Sequence, residues 1–315
     1  MSDFLLDVQQ LSKRFGDRLV VDHISFSVRE GQTLGLLGPN GAGKSSTVNM
    51  ICGLLRADSG QVLLSGQLMG AGANPVKKKL GLVPQDLALY EELSALNNLK
   101  LFGALYGLSG KLLQQRCDTV LDLVSLRDRA KDRVQDFSGG MKRRLNIAAA
   151  MLHEPALLIL DEPTVGVDPQ SRNAIFEALE ALRNEGHALI YTSHYMEEVE
   201  RLADHIVMID HGKLIANESP AALYARLPAQ AALELVFDRA LSDVQQQALH
   251  AISGVIQVEV SESGCQVKLA LKQQNEALFV LNALTQIAPL PLHFSTAKTK
   301  LEEVFLTLTG RSLRD

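Results

Sequence analysis

The chain has 315 residues, a formal net charge of -5 at pH 7 and three cysteines without a C-x-x-C pairing. This length predicts one full domain and a smaller unit, and the negative charge argues against nucleic acid as a partner, because phosphate backbones bind to basic surfaces. Since no apolar run approaches the roughly 20 residues that span a bilayer, and the cysteines indicate neither a zinc site nor a disulfide framework, we expect an intracellular protein that acts at a membrane only through another chain.

The first strong motif lies between a predicted strand and a predicted helix. Strand-like segments at 4–8 and 24–28 are followed by an apolar run at 33–37, and residues 46–55 have a helix-like composition. The sequence G-x-x-x-x-G-K-[ST] connects the last two and consists of Gly38, Pro39, Asn40, Gly41, Ala42, Gly43, Lys44 and Ser45, with Ser46 next. Strand, loop and helix in this order are the context of a phosphate-binding loop.

Each part of this loop has a chemical task. Its glycines let successive backbone N–H groups point at a β-phosphate, at the positive end of a helix dipole. Lys44 neutralises the β and γ oxygens, and Ser45 offers its hydroxyl to Mg²⁺. The alternative is a glycine-rich turn without a ligand. The loop therefore predicts binding of a nucleoside triphosphate with magnesium.

A polar side chain and a helical stretch follow the loop. Gln85 comes directly after the apolar run at 80–84, so its amide is placed to ligate Mg²⁺ or to orient water near a γ-phosphate. Residues 95–130 are rich in leucine and poor in β-branched residues, which predicts helices.

Two adjacent carboxylates end the apolar run at 157–160. The run reads as a buried parallel strand, and ligands bind at the carboxyl edge of such sheets. Asp161 is predicted to hold Mg²⁺ through its coordinated waters, and Glu162 to act as a general base on the attacking water. The alternative is a solvated strand end.

Two further polar residues are weak signals on their own. His194 follows the strand-like segment 188–193, where an imidazole can hydrogen-bond a γ-phosphate, although a lone histidine is more often structural. Asp168 precedes Pro169 and reads as a turn residue in isolation.

The sequence after Leu227 and Pro228 has a different pattern and contains no catalytic motif. Strands are predicted at 232–237, 255–260, 265–271 and 292–294, and helices at 241–252 and 276–287, which gives the order βαββαβ of a ferredoxin-like split arrangement. Residues 261–264 read as a hairpin turn. A closing amphipathic helix is predicted from apolar residues at i, i+3, i+4 and i+7, namely Leu301, Val304, Phe305 and Leu308.

In their order and spacing, these motifs closely resemble the nucleotide-binding domain of ATP-binding cassette (ABC) transporters, over roughly residues 4–227. The resemblance implies an α/β P-loop ATPase in residues 1–227, with a mixed sheet core, an antiparallel β subdomain and a helical subdomain, and a small α+β domain in 228–315. It also implies ATP and Mg²⁺ as ligands, and ATP hydrolysis coupled to transport. Several residues then take family roles: Ser45, Gln85 and Asp161 as magnesium ligands, Glu162 and His194 as catalytic residues, Asp168 in communication between subunits, and Phe15 as the aromatic ring stacked on adenine. The alternative for Phe15 is ordinary packing at the edge of the core.

The segment 137–141 occupies the place of the family's signature motif. Ser138, Gly139 and Gly140 keep the donors that contact the phosphate of an opposite subunit, whereas Phe137 and Met141 depart from the commonest wording. This variant and the closing helix resemble ABC-2 type exporters, including the daunorubicin-resistance branch. We expect the basic residues at 142–144 to form a solvated helix face.

The resemblance also implies partners. They are a second copy of the chain and a transmembrane permease of the ABC-2 type, which would hold the chain peripherally at the cytoplasmic face of the inner membrane. The apolar residues Leu87, Leu89 and Tyr90 are predicted to receive the permease, with inward packing as the alternative. Two other functions stay open: the ATPase of an importer, and a soluble ABC ATPase without a transport role. The C-terminal unit either stabilises the dimer or only covers apolar surface.

Overall fold

The computed structural model describes residues 4–70, 72, 74–226, 231–271, 276–287, 289–297 and 301–310. Within this part of the chain, two compact units divide between Pro220 and Ala221. The change of pattern predicted at Leu227 and Pro228 lies outside the described residues.

The first unit contains a mixed sheet and an antiparallel sheet. Its strands are β1 Leu6–Phe15, β2 Arg18–Val28, β3 Thr33–Leu37, β4 Ser59–Leu64, β5 Gln67–Leu68, β6 Leu80–Val83, β7 Leu157–Asp161, β8 Ala188–Ser193, β9 His205–Asp210 and β10 Lys213–Glu218. The mixed sheet has the order β10-β9-β3-β8-β7-β6, in which only the β10–β9 pair is antiparallel. Every residue of β3, β7 and β8 is buried, which explains their continuous apolar sequences.

The antiparallel sheet has the order β2-β1-β4-β5. Its two long strands form a hairpin in which Phe15 pairs with Arg18. Both strands extend well beyond the predicted segments at 4–8 and 24–28, into outer halves in which many residues are exposed or half-buried.

The helices of the first unit surround the mixed sheet and form a separate helical region. They are α1 Lys44–Ile51, α2 Ala95–Leu105, α3 Gly110–Leu123, α4 Gly139–Met151, α5 Pro169–Asn184 and α6 Met196–Leu202; the next helix, α7 Pro220–Ala225, begins at the boundary and belongs to the second unit from Ala221 on. The stretch predicted as helical at 95–130 consists of α2, α3 and a short 3₁₀ turn at Arg127–Arg129. The hydroxyl of Ser94 caps α2 by accepting from the N–H of Asn97 at 3.2 Å.

The second unit is a four-stranded antiparallel sheet with helices. Its elements are β11 Ala231–Val236, α8 Asp243–His250, β12 Val255–Val260, β13 Gln266–Leu271, α9 Ala277–Leu284, β14 His293–Ala297 and α10 Leu301–Thr309. The sheet order is β12-β13-β11-β14, which agrees with the predicted split βαββαβ arrangement. Leu233, Leu269 and Val280 lie in its core. Of the predicted apolar stripe in α10, Leu301, Val304 and Phe305 are buried and Leu308 is half-buried.

Candidate functional site

A cleft opens at the carboxyl edge of the mixed sheet, where β3, β7 and β8 end. Its volume is about 590 Å³. The side chains and backbone that line it come from β2, the loop before α1, and the segments that follow β6, β7 and β8. They are Arg18, Val20, Asn40, Gly41, Gly43, Lys44, Ser45, Ser46, Gln85, Glu162, Val165, His194 and Tyr195. The structure therefore brings together residues that the sequence analysis placed in one nucleotide site.

The loop before α1 is shaped for close approach of a ligand to backbone. Gly43, which immediately precedes the helix, has φ +107°, a left-handed conformation that a side chain would strain. The side chain of Lys44 turns back, and its Nζ donates to the carbonyls of Gly38 at 2.8 Å and Pro39 at 3.2 Å. Burial lowers the pKa of Lys44, while the carboxylate of Glu162 acts in the opposite direction.

Three predicted residues meet at the carboxylate of Glu162. Oε1 lies 3.4 Å from Nζ of Lys44 and 3.4 Å from Nδ1 of His194. Oε2 lies 3.5 Å from Nε2 of Gln85. Glu162 itself has φ +47°, a backbone conformation that costs a non-glycine residue about 1–3 kcal/mol and persists only where the surroundings fix it.

The hydroxyl of Thr192, at the end of β8, ties both carboxylate residues in place. It accepts from the N–H of Glu162 at 2.9 Å and donates to Oδ1 of Asp161 at 2.6 Å. Asp161 is buried and does not line the cleft. Sequence reasoning missed Thr192, since it placed the residue within the strand before His194, and its hydroxyl is one of three in that strand, with those of Tyr191 and Ser193.

Phe15 is not packed into the core. Its ring is 50% exposed, and Nζ of Lys13 lies 5.6 Å from the ring centroid. The cleft is lined instead by Arg18 and Val20 from the same hairpin, and by Tyr195, none of which the sequence analysis singled out.

The signature residues do not line the cleft of their own chain. Ser138 caps α4, its Oγ accepting from the N–H of Met141 at 3.2 Å, and both Ser138 and Gly139 are exposed. Gly140 is buried, and a Cβ there would lie 2.1 Å from Oγ of Ser171, so α4 can approach α5 this closely only with glycine.

Asp168 caps the adjacent helix α5. Its Oδ1 accepts from the N–H of Ser171 at 2.9 Å, and this hydrogen bond holds the pKa of Asp168 below its ordinary value. Locally, Asp168 is thus a residue of the turn that begins a helix, as its sequence context indicates. Its side chain lies near Gly140, where α4 and α5 are in contact.

The prediction of a solvated basic face at 142–144 is wrong. Nζ of Lys142 contacts Oε1 of Glu91 at 2.6 Å. Arg143 is only 7% exposed and donates to the carbonyl of Pro84 at 3.0 Å. Arg144 donates to a backbone carbonyl of the helical region at 2.7 Å. These residues fix α4 against its neighbours, and Arg143 ties it to the residue just before Gln85.

The groups present fit a nucleoside triphosphate and magnesium. Within the described part of the chain, the buried ammonium of Lys44 contacts two loop carbonyls and Glu162, and a phosphate would offer it stronger acceptors than the carbonyls. Nδ1 of His194 is buried and makes no hydrogen bond to any described residue. The hydroxyl of Ser45, the carboxylate of Asp161 and the amide of Gln85 supply the oxygen ligands that Mg²⁺ prefers. Fold and cleft together define a P-loop nucleoside triphosphatase.

Comparison with known proteins gives the family. The family model described as ABC transporter matches residues 21–165. The chain is 42% identical over 315 residues to the linearmycin resistance ATP-binding protein LnrL of Bacillus subtilis, covering 99% of this chain and 100% of that protein. It is 36% identical over 312 residues to the Nod factor export ATP-binding protein I of Ralstonia nicotianae, with coverage of 99% and 95%.

Solved structures agree. The structure of cbiO1 from Clostridium perfringens, part of the ABC transporter complex cbiONQ, matches with a TM-score of 0.65 and 26% identity over 71% of this chain and 92% of that chain. An ATP-binding subunit of an ABC transporter matches with a TM-score of 0.64 and 31% identity, over 70% and 92%. The chain belongs to the ABC transporter family, as an ATP-binding subunit that couples ATP hydrolysis to transport.

Proposed function

We propose that this chain is the ATP-hydrolysing subunit of an ABC-2 type export complex, in which it powers a separate membrane permease. The proposal of export is supported by how much of this chain aligns with relatives of known naming. Relatives named for linearmycin resistance and Nod factor export match 99% of this chain, so the match includes the second unit. The two solved ABC transporter structures match only 71% and 70% of the chain.

The first step of the proposed mechanism is capture of the phosphates. The backbone N–H groups at the start of α1 and the ammonium of Lys44 face the cleft and bind the phosphate oxygens of ATP. Ser45, Asp161 and Gln85 would hold Mg²⁺, which would supply positive charge to neutralise the phosphate oxygens. As Lys44 turns to a phosphate, its contact with Oε1 of Glu162 at 3.4 Å is released.

The second step is activation of water. The freed carboxylate of Glu162 accepts a proton from the attacking water. The oxygen of that water bonds to the γ-phosphorus while the bond between the γ-phosphorus and the β-γ bridging oxygen breaks. His194 lies beside Glu162 and donates a hydrogen bond to a γ oxygen. Gln85 orients the water. Each of these three side chains lines the same cleft.

A second copy of the chain completes the site. Ser138 and Gly139 are exposed at the start of α4, which spans Gly139–Met151, and they do not line their own cleft. The free N–H groups of a helix start bind anions. In this proposal the signature residues of one copy, including Gly140, contact the γ-phosphate held by the other, Asp168 lies between the two sites, and ATP closes a two-fold dimer.

The permease holds the chain at the membrane. No helix within the described ranges is long and apolar enough to cross a bilayer. Leu87 and Tyr90 are exposed, at 38% and 53%, and Leu89 is half-buried. The loop backbone beneath them is fixed by Asn98, which exchanges hydrogen bonds of 2.8 and 2.9 Å with Tyr90. We name Leu87, Leu89 and Tyr90 the docking surface; a permease seated there would keep the chain peripheral at the cytoplasmic face of the inner membrane.

Replacing the proposed base tests the mechanism. Glu162→Gln keeps the size of the side chain and removes its proton acceptor, so ATP should still bind while kcat falls by about 10²- to 10⁴-fold. The closed dimer should accumulate with ATP and be visible as a species of doubled mass by light scattering. Glu177→Gln, at an exposed position of α5, is the matched control and should leave kcat unchanged. Wild-type turnover by Glu162→Gln would remove Glu162 from this role.

The direction of transport is tested with the complete complex. Inverted membrane vesicles carry the ATPase outside, so added ATP should drive uptake of the transported compound if the complex exports. ATPase stimulation in the purified complex identifies that compound, with linearmycin and Nod factor as the first candidates. Accumulation that occurs only in vesicles of native orientation, with ATP enclosed inside them, would show import.

A further inference from the structure

A buried carboxylate outside the cleft connects the segments that carry the two catalytic candidates. Glu198, on α6, is 4% exposed and does not line the cleft. Oγ1 of Thr164 lies 2.8 Å from each of its carboxylate oxygens. The hydroxyls of Tyr191 and Ser193 donate to Oε2 at 2.9 and 2.8 Å, and Nε of Arg172 lies 3.6 Å from Oε1. A buried carboxylate is costly unless it is this fully paired.

Two of these donors lie directly beside catalytic candidates in the chain. Thr164 follows Glu162 by two residues, and Ser193 immediately precedes His194. Oγ of Ser193 also accepts from the N–H of Tyr195 at 2.9 Å, which fixes the turn that contains His194. The same carboxylate thus holds both segments.

The backbone of Glu162 needs such support. Its φ of +47° persists only where neighbouring contacts fix the chain. On one side, Thr192 accepts from the N–H of Glu162 at 2.9 Å. On the other side, Thr164 is bound to Glu198. Loss of the Thr164–Glu198 contact would let the backbone of Glu162 relax toward a negative φ. The side chain of Glu162 would then move away from His194.

We propose that Glu198 is a positioning residue for ATP hydrolysis, whose carboxylate anchors the segments of Glu162 and His194 to one another through Thr164 and Ser193. The inference rests on the roles proposed above for Glu162 and His194. It adds a residue that touches neither nucleotide nor water and acts only through its neighbours.

Tyr191 provides a matched control within the same cluster. It donates to the same carboxylate, but it lies inside β8, where it is paired with Leu160 on one side and Gly35 on the other. Strand pairing fixes its backbone without the hydroxyl. The hydroxyl also lies 3.1 Å from Oγ1 of Thr164, but Thr164 keeps its own contact with Glu198 without it. Removing the Tyr191 hydroxyl is therefore expected to cost stability and to leave the two catalytic segments in place.

The test compares hydroxyl deletions in the full-length chain. Thr164→Val and Ser193→Ala should each lower the kcat of ATP hydrolysis about tenfold or more, while the KM for ATP changes less than about threefold, because misplacement of reacting groups affects the chemical step. Tyr191→Phe should lower Tm by a comparable amount with kcat within about twofold of the wild type. Glu198→Gln, which keeps an acceptor oxygen, should recover part of the activity lost in Glu198→Ala.

A second measurement does not depend on turnover. The imidazole resonances of His194 in isotope-labelled protein, assigned by their loss in His194→Gln, should shift in Ser193→Ala and Glu198→Gln and stay in place in Tyr191→Phe. Unmoved resonances, or a kcat that follows Tm equally in all three hydroxyl variants, would overturn the proposal. Glu162→Gln in the same assay reports on the proposed base separately, so the two failures are distinguishable.

Discussion

Glu162 receives its contacts from three distant parts of the chain. Lys44 is the first residue of α1, while Gln85 follows β6 and His194 follows β8. Each follows a strand of one sheet, and parallel strands bring their carboxyl ends to one edge. The topology of the sheet therefore brings the three side chains together at Glu162. Each has a nitrogen 3.4 to 3.5 Å from a carboxylate oxygen of Glu162.

His153, away from the cleft, gives the chain a pH-dependent stability. Its ring stacks on Tyr106 at 3.7 Å, and Nε2 must carry the hydrogen that is donated to the carbonyl of Leu80 at 3.1 Å. Nδ1 has no hydrogen-bond partner among the described residues, so a proton there would be buried without an acceptor. Burial accordingly lowers the pKa of His153 from its ordinary value of 6.5.

The sign of the effect follows from linkage. Below 6.5 the unfolded chain binds this proton more readily than the folded chain, so stability falls as pH drops toward the folded pKa. The loss is about 1.4 kcal/mol for each unit between the two pKa values. Urea unfolding at pH 7.5 and 5.5 should show a smaller loss in His153→Asn than in the wild type. An equal loss in both proteins would assign the dependence to other groups.

The motif residues could be predicted because a few neighbouring positions in the sequence are enough to identify them. Gly43, Lys44 and Glu162 are recognised from spacing and from the strand that precedes them. Thr192 and Glu198 could not be predicted, because their contacts join residues far apart in the chain: Thr164 and Glu198 are 34 positions apart. A hydroxyl in a strand and an acidic residue on a helix carry no signal until the fold pairs them.

At the scale of elements, α4 both presents the signature residues and joins several parts of the first unit. It packs against α5 at Gly140, and its side chains are bound to the helical region and to the end of β6. Arg143 looked solvent-exposed from its basic neighbours, yet its guanidinium is buried against the carbonyl of Pro84. Arg143 thereby joins α4 to the backbone next to Gln85.

Replacing this contact should affect both stability and catalysis. Arg143→Met keeps the apolar stem and leaves the Pro84 carbonyl without its donor, which costs about 1–3 kcal/mol. Since Gln85 follows Pro84, kcat should fall as well. Lys142→Met, the neighbouring control, removes a partly exposed pair with Glu91 that does not touch Pro84; the pair is worth about 0–1 kcal/mol, and the variant should keep wild-type kcat. Denaturant unfolding and ATPase assays measure both effects. Equal behaviour of the two variants would contradict a specific role for the Arg143 contact.

At the scale of the whole molecule, the two units differ in what they contribute. All residues that line the cleft lie in the first unit. The second unit has its own core. Its strand order could be predicted, because short alternating strands joined by a hairpin turn leave few possible topologies. The turn begins at Ser261, whose N–H donates to the carbonyl of Gln266. None of the second unit's described residues lines the cleft.

Coupling to the permease is expected to fail when the docking surface is made polar. Replacing Leu89 and Tyr90 together with serine removes apolar contact area without touching the cleft, so the isolated chain should hydrolyse ATP at the wild-type rate. In the complex, transport and the stimulation of ATPase activity by the transported compound should be lost. The matched control replaces two exposed leucines elsewhere on the first unit, Leu54 and Leu68, with serine. Transport that survives in the Leu89 and Tyr90 variant would show that the permease binds another surface, because loss of an apolar anchor at an interface centre costs at least about 2 kcal/mol.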